Sequence, residues 1–268
     1  TFTIDTTAPS LTQVTAVPSP SRDNTSSYTF TTNEAGTISY SGGCSSSDNT
    51  TALADDNITI TFNELADNTY NCSVIVTDNA SNQGTISVQF IIDTTAPTLS
   101  EVTPVSTPAT VNTPNYTFNT NEAGVISYGG SCSSSTTTAS SAGNKSITFN
   151  ALNDGSYSDC TIIVTDASGN ASSAFPVTTF TVAVPPVLAE VTAVPTPTDN
   201  NTPNYTFSSN EAGTISYGGA CGSSSPSAAT SGDNTVTLTQ PDNTTVLDDR
   251  TYDNCTIRVT DNSSNTSS

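Results

Sequence analysis

The sequence predicts an all-β protein of three tandem β-sandwiches in an elongated array, each closed by one disulfide of its own. Three observations predict this fold: one unit occurs three times along the chain, apolar and polar residues alternate within each unit, and each unit carries two cysteines. The 268 residues include 52 Thr and 40 Ser and no Met or Trp. Such a composition favours short strands and exposed turns over helices.

The repeat is identified by the segment Asn-Glu-Ala-Gly, which occurs at 33–36, 121–124 and 210–213. A tyrosine and an early cysteine recur with the same spacing: Tyr28, Tyr116, Tyr205, Cys44, Cys132 and Cys221. Each repeat is long enough to close a core of its own. We therefore divide the chain into four parts: a closing strand with its junction (1–8), unit one (9–96), unit two (97–185) and unit three (186–268). The last strand is missing from unit three in this division.

Within each unit polarity alternates with period two, as in strands that bury one face. In unit three Cys255, Ile257 and Val259 share one parity, which predicts that this cysteine faces the core. One set of pairings keeps every bridge inside a unit: Cys44 with Cys72, Cys132 with Cys160, and Cys221 with Cys255. Two thiols per unit without histidine cannot complete a zinc site. Disulfides in turn indicate an oxidising compartment, so we expect a secreted, extracellular or cell-surface protein.

Each unit also has a leucine and a tyrosine five residues apart, separated by turn-forming residues. These pairs are Leu65 with Tyr70, Leu152 with Tyr157, and Leu247 with Tyr252. The spacing resembles the tyrosine corner of immunoglobulin (Ig)-type sandwiches, in which the tyrosine hydroxyl bonds back to upstream backbone. The early cysteine follows the third predicted strand, and Trp is absent from the sequence. We therefore predict Ig-like domains that are not of the antibody type.

The junctions extend the resemblance to a family. Ile-Asp-Thr-Thr-Ala-Pro opens units one and two at 4–9 and 92–97, and each unit carries a late Val-Thr-Asp-x-x-x-Asn segment. This combination resembles the tandem bacterial Ig-like (Big-type) domains of large secreted and surface fibre and adhesin proteins. The resemblance covers nearly the whole chain and concerns architecture rather than ligand. At the second junction Val184-Pro185-Pro186 replaces the motif, so an aspartate is missing there.

In the family that the chain resembles, junction carboxylates often hold calcium. The resemblance implies calcium ligands at the boundaries, and these are Asp5, Asp78, Asp93 and Asp166. Calcium prefers about six to eight oxygen ligands, which Asp, Asn and Thr can supply. The alternative is that these aspartates are ordinary turn residues, because the chain contains no consecutive D-x-D-x-D ladder. No other cofactor is predicted.

The glutamates of the repeated Asn-Glu-Ala-Gly segment could be either turn residues or catalytic acids. These residues are Glu34, Glu122 and Glu211. We interpret the segment as a turn, in which Asn starts the turn and Gly supplies a positive φ. A hydrolase with paired carboxylates would need a second acid at a defined separation and would hardly be built three times in one chain.

Composition argues against several functions. The formal net charge of −20 opposes binding to nucleic acid or anionic lipid, because both require clustered Lys and Arg. No apolar run approaches the length of a membrane helix, so no direct membrane insertion is expected. The absence of His removes Ser-His-Asp and Cys-His nucleophile pairs. We expect a protein that is not an enzyme.

Two functions remain. The first is a structural segment or subunit of an extracellular fibre, filament or cell-surface stalk, built head to tail from Ig-like domains. Its partners would be copies of itself or further Ig-like repeats. The alternative is an adhesin segment that binds glycan or a surface protein of a host or neighbouring cell. The loops after the first cysteine, which differ most between repeats, would then form the contact surface.

The N-terminal segment suggests how such a chain meets its neighbour. Phe2 and Ile4 match Phe90 and Ile92 in the closing strand of unit one. We predict a head-to-tail fibre in which residues 1–4 of one copy lie against unit three of its neighbour, whether or not the link is covalent. Two arrangements fit: residues 1–4 complete unit three of another subunit in donor-strand fashion, or the chain is a window from a longer covalent array.

Overall fold

A computed structural model describes residues 2–268, and its regular elements are all β-strands. Thr1, which belongs to the predicted closing strand, lies outside the described residues. The chain forms three Ig-like β-sandwiches in tandem, and each sandwich has a hydrophobic core of its own. Among residues 2–268 there is no helix with the length and apolar character needed to cross a bilayer.

Unit one has seven strands: β1 (Leu11–Thr15), β2 (Ser27–Thr32), β3 (Gly36–Ser41), β4 (Thr51–Ala52), β5 (Ile58–Thr61), β6 (Asn68–Thr77) and β7 (Gln83–Ile92). One sheet has the order β1-β2-β5 and the other β4-β3-β6-β7. All of these pairings are antiparallel. This division of strands between two sheets is that of an Ig-like sandwich.

Unit two has nine strands: β8 (Leu99–Thr103), β9 (Asn115–Thr120), β10 (Gly124–Gly129), β11 (Thr138–Ala139), β12 (Gly143–Thr148), β13 (Gly155–Tyr157), β14 (Thr161–Thr165), β15 (Phe175–Pro176) and β16 (Phe180–Val182). The sheets are β8-β9-β12 and β11-β10-β14-β15, with a separate β13-β16 pair. The two long strands of unit one are thus each divided into two short strands in unit two.

Unit three has six strands within the described residues: β17 (Leu188–Thr192), β18 (Asn204–Ser209), β19 (Gly213–Gly218), β20 (Ala228–Ala229), β21 (Gly232–Thr237) and β22 (Thr256–Thr260). Its sheets are β17-β18-β21 and β20-β19-β22. A counterpart of β7 is therefore absent from the described part of unit three.

The alternation in the sequence sets which face of each strand is buried. In β6, Cys72, Val74 and Val76 are fully buried while the residues between them are partly exposed. In β2, Tyr28 and Phe30 are buried in the same way. Because successive side chains point to opposite faces of a strand, period two places the apolar set between the sheets.

The three predicted disulfides are confirmed. The paired cysteines have Cα–Cα distances of 5.7, 5.2 and 5.2 Å in units one, two and three. These separations lie in the range that a disulfide spans. Burial differs for one cysteine, because Cys255 is exposed whereas Cys72 and Cys160 are buried. The strand that covers this position in units one and two has no counterpart among the described residues of unit three.

The tyrosine corners are also confirmed. Each tyrosine hydroxyl donates a hydrogen bond to the carbonyl oxygen four residues upstream. The distances are 3.0 Å from Tyr70 to Ala66, 2.9 Å from Tyr157 to Asn153, and 3.3 Å from Tyr252 to Asp248. The bond fixes the turn that precedes the segment with the late cysteine.

The role predicted for the glycine of Asn-Glu-Ala-Gly is wrong. Gly36, Gly124 and Gly213 each begin a strand and do not have a positive φ. A Cβ at any of them would lie 2.4 Å from a carbonyl oxygen of the neighbouring strand. These positions require glycine because two backbones approach closely.

Residues 2–8 do not form the predicted strand within this chain. A strand needs the backbone groups of a neighbour, and none pairs with this segment here. Phe2 and Ile4 are 86% and 77% exposed, whereas their counterparts Phe90 and Ile92 are each 1% exposed.

Candidate metal centres at the entrances of the units

Three carboxylates meet where the chain enters each unit. We call these groups entrance cluster one (Asp5, Glu34, Asp78), entrance cluster two (Asp93, Glu122, Asp166) and entrance cluster three (Asp154, Glu211, Asp261). In each cluster, one carboxylate oxygen per residue lies within 4.8 Å of the others. The three clusters thus repeat one arrangement, with a single change in the third.

One member of each cluster is the aspartate of the Val-Thr-Asp-x-x-x-Asn segment, which is Asp78, Asp166 or Asp261. Hydrogen bonds within its own loop hold this side chain. In unit two, Asp166 Oδ1 accepts the backbone N–H groups of Ser168 and Asn170 at 2.8 and 2.9 Å. Its Oδ2 accepts the side-chain amide of Asn170 at 2.9 Å. Asp78 and Asp261 are held by the same three bonds. The loop therefore orders this carboxylate before any ligand arrives.

The second member is the glutamate of the turn that connects the two sheets, between β9 and β10 in unit two, and its neighbour Asn121 shows how this turn is placed. The side-chain oxygen of Asn121 accepts the N–H of Thr98 at 2.6 Å, and the N–H of Asn121 donates to the carbonyl of Thr98 at 3.3 Å. The corresponding bonds form in the other two units. Asparagine thus binds the incoming linker to the turn between the two sheets, which brings Glu122 to the entrance.

The third member in clusters one and two comes from the linker itself. At the boundary between units one and two, the carbonyl of Asp93 accepts the Asn170 side chain at 2.8 Å, and Asp93 Oδ2 accepts the Ser168 hydroxyl at 3.1 Å. At cluster one the Asp5 carbonyl accepts the Asn82 side chain at 3.3 Å. Each linker aspartate is therefore bound to the loop of the unit that it precedes.

Entrance cluster three uses a different aspartate. Asp154 lies in the tyrosine corner of unit two, between Leu152 and Tyr157. Its Oδ1 accepts the N–H of Val184 at 3.0 Å, and its Oδ2 accepts the side chain of Asn265 in unit three at 3.0 Å. The body of unit two thus supplies the carboxylate that the Val-Pro-Pro linker lacks.

Asp67, the corner aspartate of unit one, binds the linker as Asp154 does but is not a member of an entrance cluster. Asp67 Oδ1 accepts the N–H and the hydroxyl of Thr94 at 2.9 and 2.8 Å, and its Oδ2 accepts the hydroxyl of Thr95 at 2.6 Å. These hydrogen bonds lower the pKa of the Asp67 carboxyl. Asp67 therefore holds the linker while Asp93 enters the cluster.

The clusters are electrostatically crowded. Burial, followed by the charges of Asp93 and Asp166, raises the pKa of the Glu122 carboxyl. Burial, followed by the charges of Asp154 and Asp261, raises the pKa of Glu211 in the same way. The clusters therefore concentrate like charges that oppose one another in the absence of a cation.

The donor set fits calcium. It consists of hard carboxylate oxygens, and in cluster two the Ser168 hydroxyl and the Asp93 backbone carbonyl lie beside them. Calcium takes about six to eight such ligands in flexible geometry, whereas zinc prefers His and Cys. Calcium would be held by the three carboxylates of each cluster, and its charge would offset their repulsion.

The structure brings the predicted aspartates together in specific pairs, Asp5 with Asp78 and Asp93 with Asp166. The turn pattern around Glu34, Glu122 and Glu211 did not predict their place in the clusters. No sequence pattern predicted the place of Asp154. The signal available for the glutamates was their recurrence at equivalent positions in all three units.

One of the four cationic residues also lies at a boundary. Arg22 of unit one donates from Nη1 to the carbonyl of Gly169 at 3.1 Å. Gly169 belongs to the loop that carries Asp166, so this bond joins the body of unit one to the cluster-bearing loop of unit two.

No protein-family model matches this sequence. No curated protein matches it either. Among solved structures the chain is similar to the D00-D0 domain of intimin, with 13% identity, a TM-score of 0.33, and coverage of 65% of this chain and 99% of that one. It is also similar to protocadherin gammaB7 EC3-6, with 13% identity, a TM-score of 0.31, and coverage of 92% and 68%.

A third similar structure is SGBP-B of the Bacteroides ovatus mixed-linkage glucan utilization locus, in complex with a mixed-linkage heptasaccharide. Here the identity is 14%, the TM-score 0.25, and the coverage 98% of this chain and 67% of that one. With scores this low, the Ig-like assignment depends on the strand order and tyrosine corners of the chain itself. The three disulfides indicate an extracellular or surface location.

Proposed function

We propose that this chain is a structural segment of an extracellular fibre, filament or cell-surface stalk, in which Ig-like units joined head to tail are stiffened by calcium at their entrances. The observation that carries the proposal is the entrance cluster, which recurs in all three units and joins elements on both sides of a boundary. A cation bound there would hold linker and unit together. The proposal assigns the chain no catalytic activity.

The hydrogen bonds at the boundaries support this role. Asp93, Asp154 and Arg22 each bond across a boundary between units. Bound calcium would stiffen boundaries that these hydrogen bonds already hold in one arrangement. The net charge of −20 would keep neighbouring fibres apart and soluble.

The calcium part of the proposal is tested on the full chain by calorimetric titration and small-angle X-ray scattering, in EDTA and in calcium. We expect one ion per cluster and a narrower distribution of overall dimensions with calcium. Replacing Glu34, Glu122 and Glu211 by glutamine should abolish both effects. A chain that neither binds calcium nor changes its scattering would contradict the proposal.

The matched control replaces three exposed carboxylates outside the clusters, one in unit one and two in unit three. These substitutions are Asp56→Asn, Asp199→Asn and Asp249→Asn. They change the net charge by the same amount as the glutamate triple variant, so they separate site binding from general screening. The control should bind calcium as the wild type does.

The cellular role is tested by immunogold electron microscopy of the native material with an antibody against this chain. Labelling along fibres or stalks is expected. Labelling confined to tips, together with specific binding on a glycan array, would favour the adhesin alternative instead.

A further inference from the structure

Unit two contains a dipeptide whose chemistry the proposed function does not use. Asp154 is followed by Gly155, which is the single Asp-Gly pair in the sequence, and the sequence contains no Asn-Gly pair. An aspartate before glycine can rearrange through a cyclic imide, because glycine has no side chain to obstruct the attack of its own backbone nitrogen on the preceding carboxyl carbon. Glycine also leaves the backbone free to adopt the conformation that ring closure needs.

The fold leaves room for this rearrangement. Gly155 opens β13 at the tyrosine corner of unit two, opposite Val182 of β16. Gly155 is exposed, and apart from its chain neighbours no atom would lie within 4 Å of a Cβ built on it. Packing against this glycine therefore does not prevent ring closure.

The corners of the other two units have a different residue in place of the glycine. The corner aspartate is followed by Asn68 in unit one and by Asp249 in unit three. Asn68 begins β6 as Gly155 begins β13, so Asp67 with Asn68 is the structural counterpart of the Asp-Gly pair. Unit one thus supplies a reference site within the same chain.

Two hydrogen bonds restrain the Asp154 carboxylate at the boundary between units two and three. Oδ1 accepts the N–H of Val184 at 3.0 Å, and Oδ2 accepts the side-chain amide of Asn265 at 3.0 Å. Ring closure requires the carboxyl carbon to turn toward the Gly155 nitrogen and one oxygen to leave, which disrupts both bonds. The contact with Asn265 of unit three therefore opposes the reaction.

We propose that Asp154-Gly155 is a site of spontaneous aspartate isomerisation, whose rate is set by the contact with unit three. The Gly155 nitrogen bonds to Cγ of Asp154. The nitrogen loses its proton and the protonated carboxyl group loses its hydroxyl, so one water molecule leaves. Water then opens the five-membered ring. Cleavage of the new N–Cγ bond restores aspartate, whereas cleavage of the original peptide bond gives isoaspartate. One water leaves and one enters, so the reaction needs no oxidant or reductant.

Isoaspartate would change the boundary between units two and three. The main chain would run through Cβ and Cγ and would be longer by one carbon, within the corner that the bond from the Tyr157 hydroxyl to the Asn153 carbonyl closes at 2.9 Å. The free carboxylate would be attached directly to Cα and would reach less far toward Val184 and Asn265. The isomerised chain should therefore lose this contact, together with one carboxylate of entrance cluster three.

The test follows isomerisation in the full chain at physiological temperature and pH, in EDTA so that the result is independent of the calcium proposal. Electron-transfer fragmentation locates isoaspartate, and labelling by an isoaspartyl methyltransferase measures its amount. The wild type should accumulate more isoaspartate at Asp154 than at Asp67. A synthetic peptide of residues 150–158 should react faster than the folded chain, because it lacks both restraining bonds.

Variants separate the contribution of the contact from that of the dipeptide. Asn265→Ala should isomerise about fivefold faster than the wild type, which is the effect of losing one ordinary hydrogen bond. The matched control Asn170→Ala removes the corresponding side chain at the boundary between units one and two, and it should leave the rate at Asp154 unchanged. Gly155→Asn copies unit one and should lower isoaspartate at Asp154 to the amount found at Asp67.

Amide exchange tests the consequence for the boundary. In the isomerised fraction, separated by chromatography, the Val184 N–H should exchange faster than in the unmodified chain, because its acceptor has moved. The Thr94 N–H, which donates to Asp67 in the unmodified corner of unit one, should exchange at an unchanged rate.

The inference is overturned if the folded wild type accumulates no more isoaspartate at Asp154 than at Asp67. It is also overturned if Asn265→Ala reacts at the wild-type rate, or if the peptide reacts no faster than the folded chain. The first result would show that the dipeptide is inert in this fold. Either of the others would show that the contact with unit three does not restrain it. None of these results depends on whether the clusters bind calcium.

Discussion

The substitution Glu122→Gln should change the stability of unit two in opposite directions with and without calcium. In EDTA the glutamate repels Asp93 and Asp166, whose oxygens lie within 4.8 Å of its own. Two such pairs contribute about 0.9 kcal/mol each in a water-like dielectric. Screening at physiological salt leaves roughly half of this, about 1 kcal/mol in total. The variant should therefore unfold at a temperature about 4–8 °C higher than the wild type in EDTA.

Calcium should reverse the order of the two melting temperatures, so that the wild type becomes the more stable protein. At about one hundred times its Kd, a bound ion adds about 2.7 kcal/mol to the wild type. The variant lacks one of three carboxylates and should gain much less. Differential scanning calorimetry of the full chain would then place the variant below the wild type in calcium. Glu64→Gln, which removes an exposed charge outside the clusters, should show neither effect.

The same substitution carries a pH signature. The pKa of Glu122 is raised above 4.5 in the folded chain, so folding takes up a proton between the unfolded and folded values. The calcium-free wild type should therefore gain stability as the pH falls through this window, and the variant should lose that gain. A lower melting temperature for the variant in EDTA, or equal stabilisation of both proteins by calcium, would refute the electrostatic reasoning.

Two further predictions concern the scaffold. Under mild reduction the unit-three disulfide should open first, because Cys255 is exposed while Cys72 and Cys160 are buried, and timed alkylation with mass spectrometry would show the order. Opening either buried bridge instead would contradict this. Gly124→Ala should destabilise unit two by about 1–3 kcal/mol in denaturant unfolding, because the new methyl group would meet a carbonyl oxygen 2.4 Å away. Unchanged stability would show that the two strands can separate at little cost.

The sandwich fold could be predicted because its signals are local and repeated. The alternation of apolar and polar residues in strands such as β6, and the spacing of Leu65 and Tyr70, each span only a few residues. Because both patterns recur in every unit, the structure inferred for one unit applies to the other two. The exposure of Cys255 could not be read from that pattern. Alternation defines which side chains face inward, but a covering strand decides whether the inward face is buried.

For a related reason, the sequence predicted some members of the entrance clusters and not others. Asp93 belongs to the Ile-Asp-Thr-Thr-Ala-Pro motif and Asp166 to the Val-Thr-Asp-x-x-x-Asn segment, and both motifs pointed to a boundary. Glu122 reaches the same point through the docking of Asn121 on the linker, a contact that no local pattern encodes. Asp154 enters because its corner faces the next unit, and only the arrangement of the two bodies makes that visible.

The origin of Asp154 has a mechanical consequence. Asp93 lies on the backbone path between units, so tension applied along the chain pulls directly on the residue that the next unit grips. Asp154 lies off that path, in the corner of unit two, and grips Asn265 from the side. Under load, force at the first boundary would act directly on Asp93. At the second boundary the Val-Pro-Pro linker would straighten while Asp154 kept its contact with Asn265. One chain would thus contain a stiff tether and a hinge.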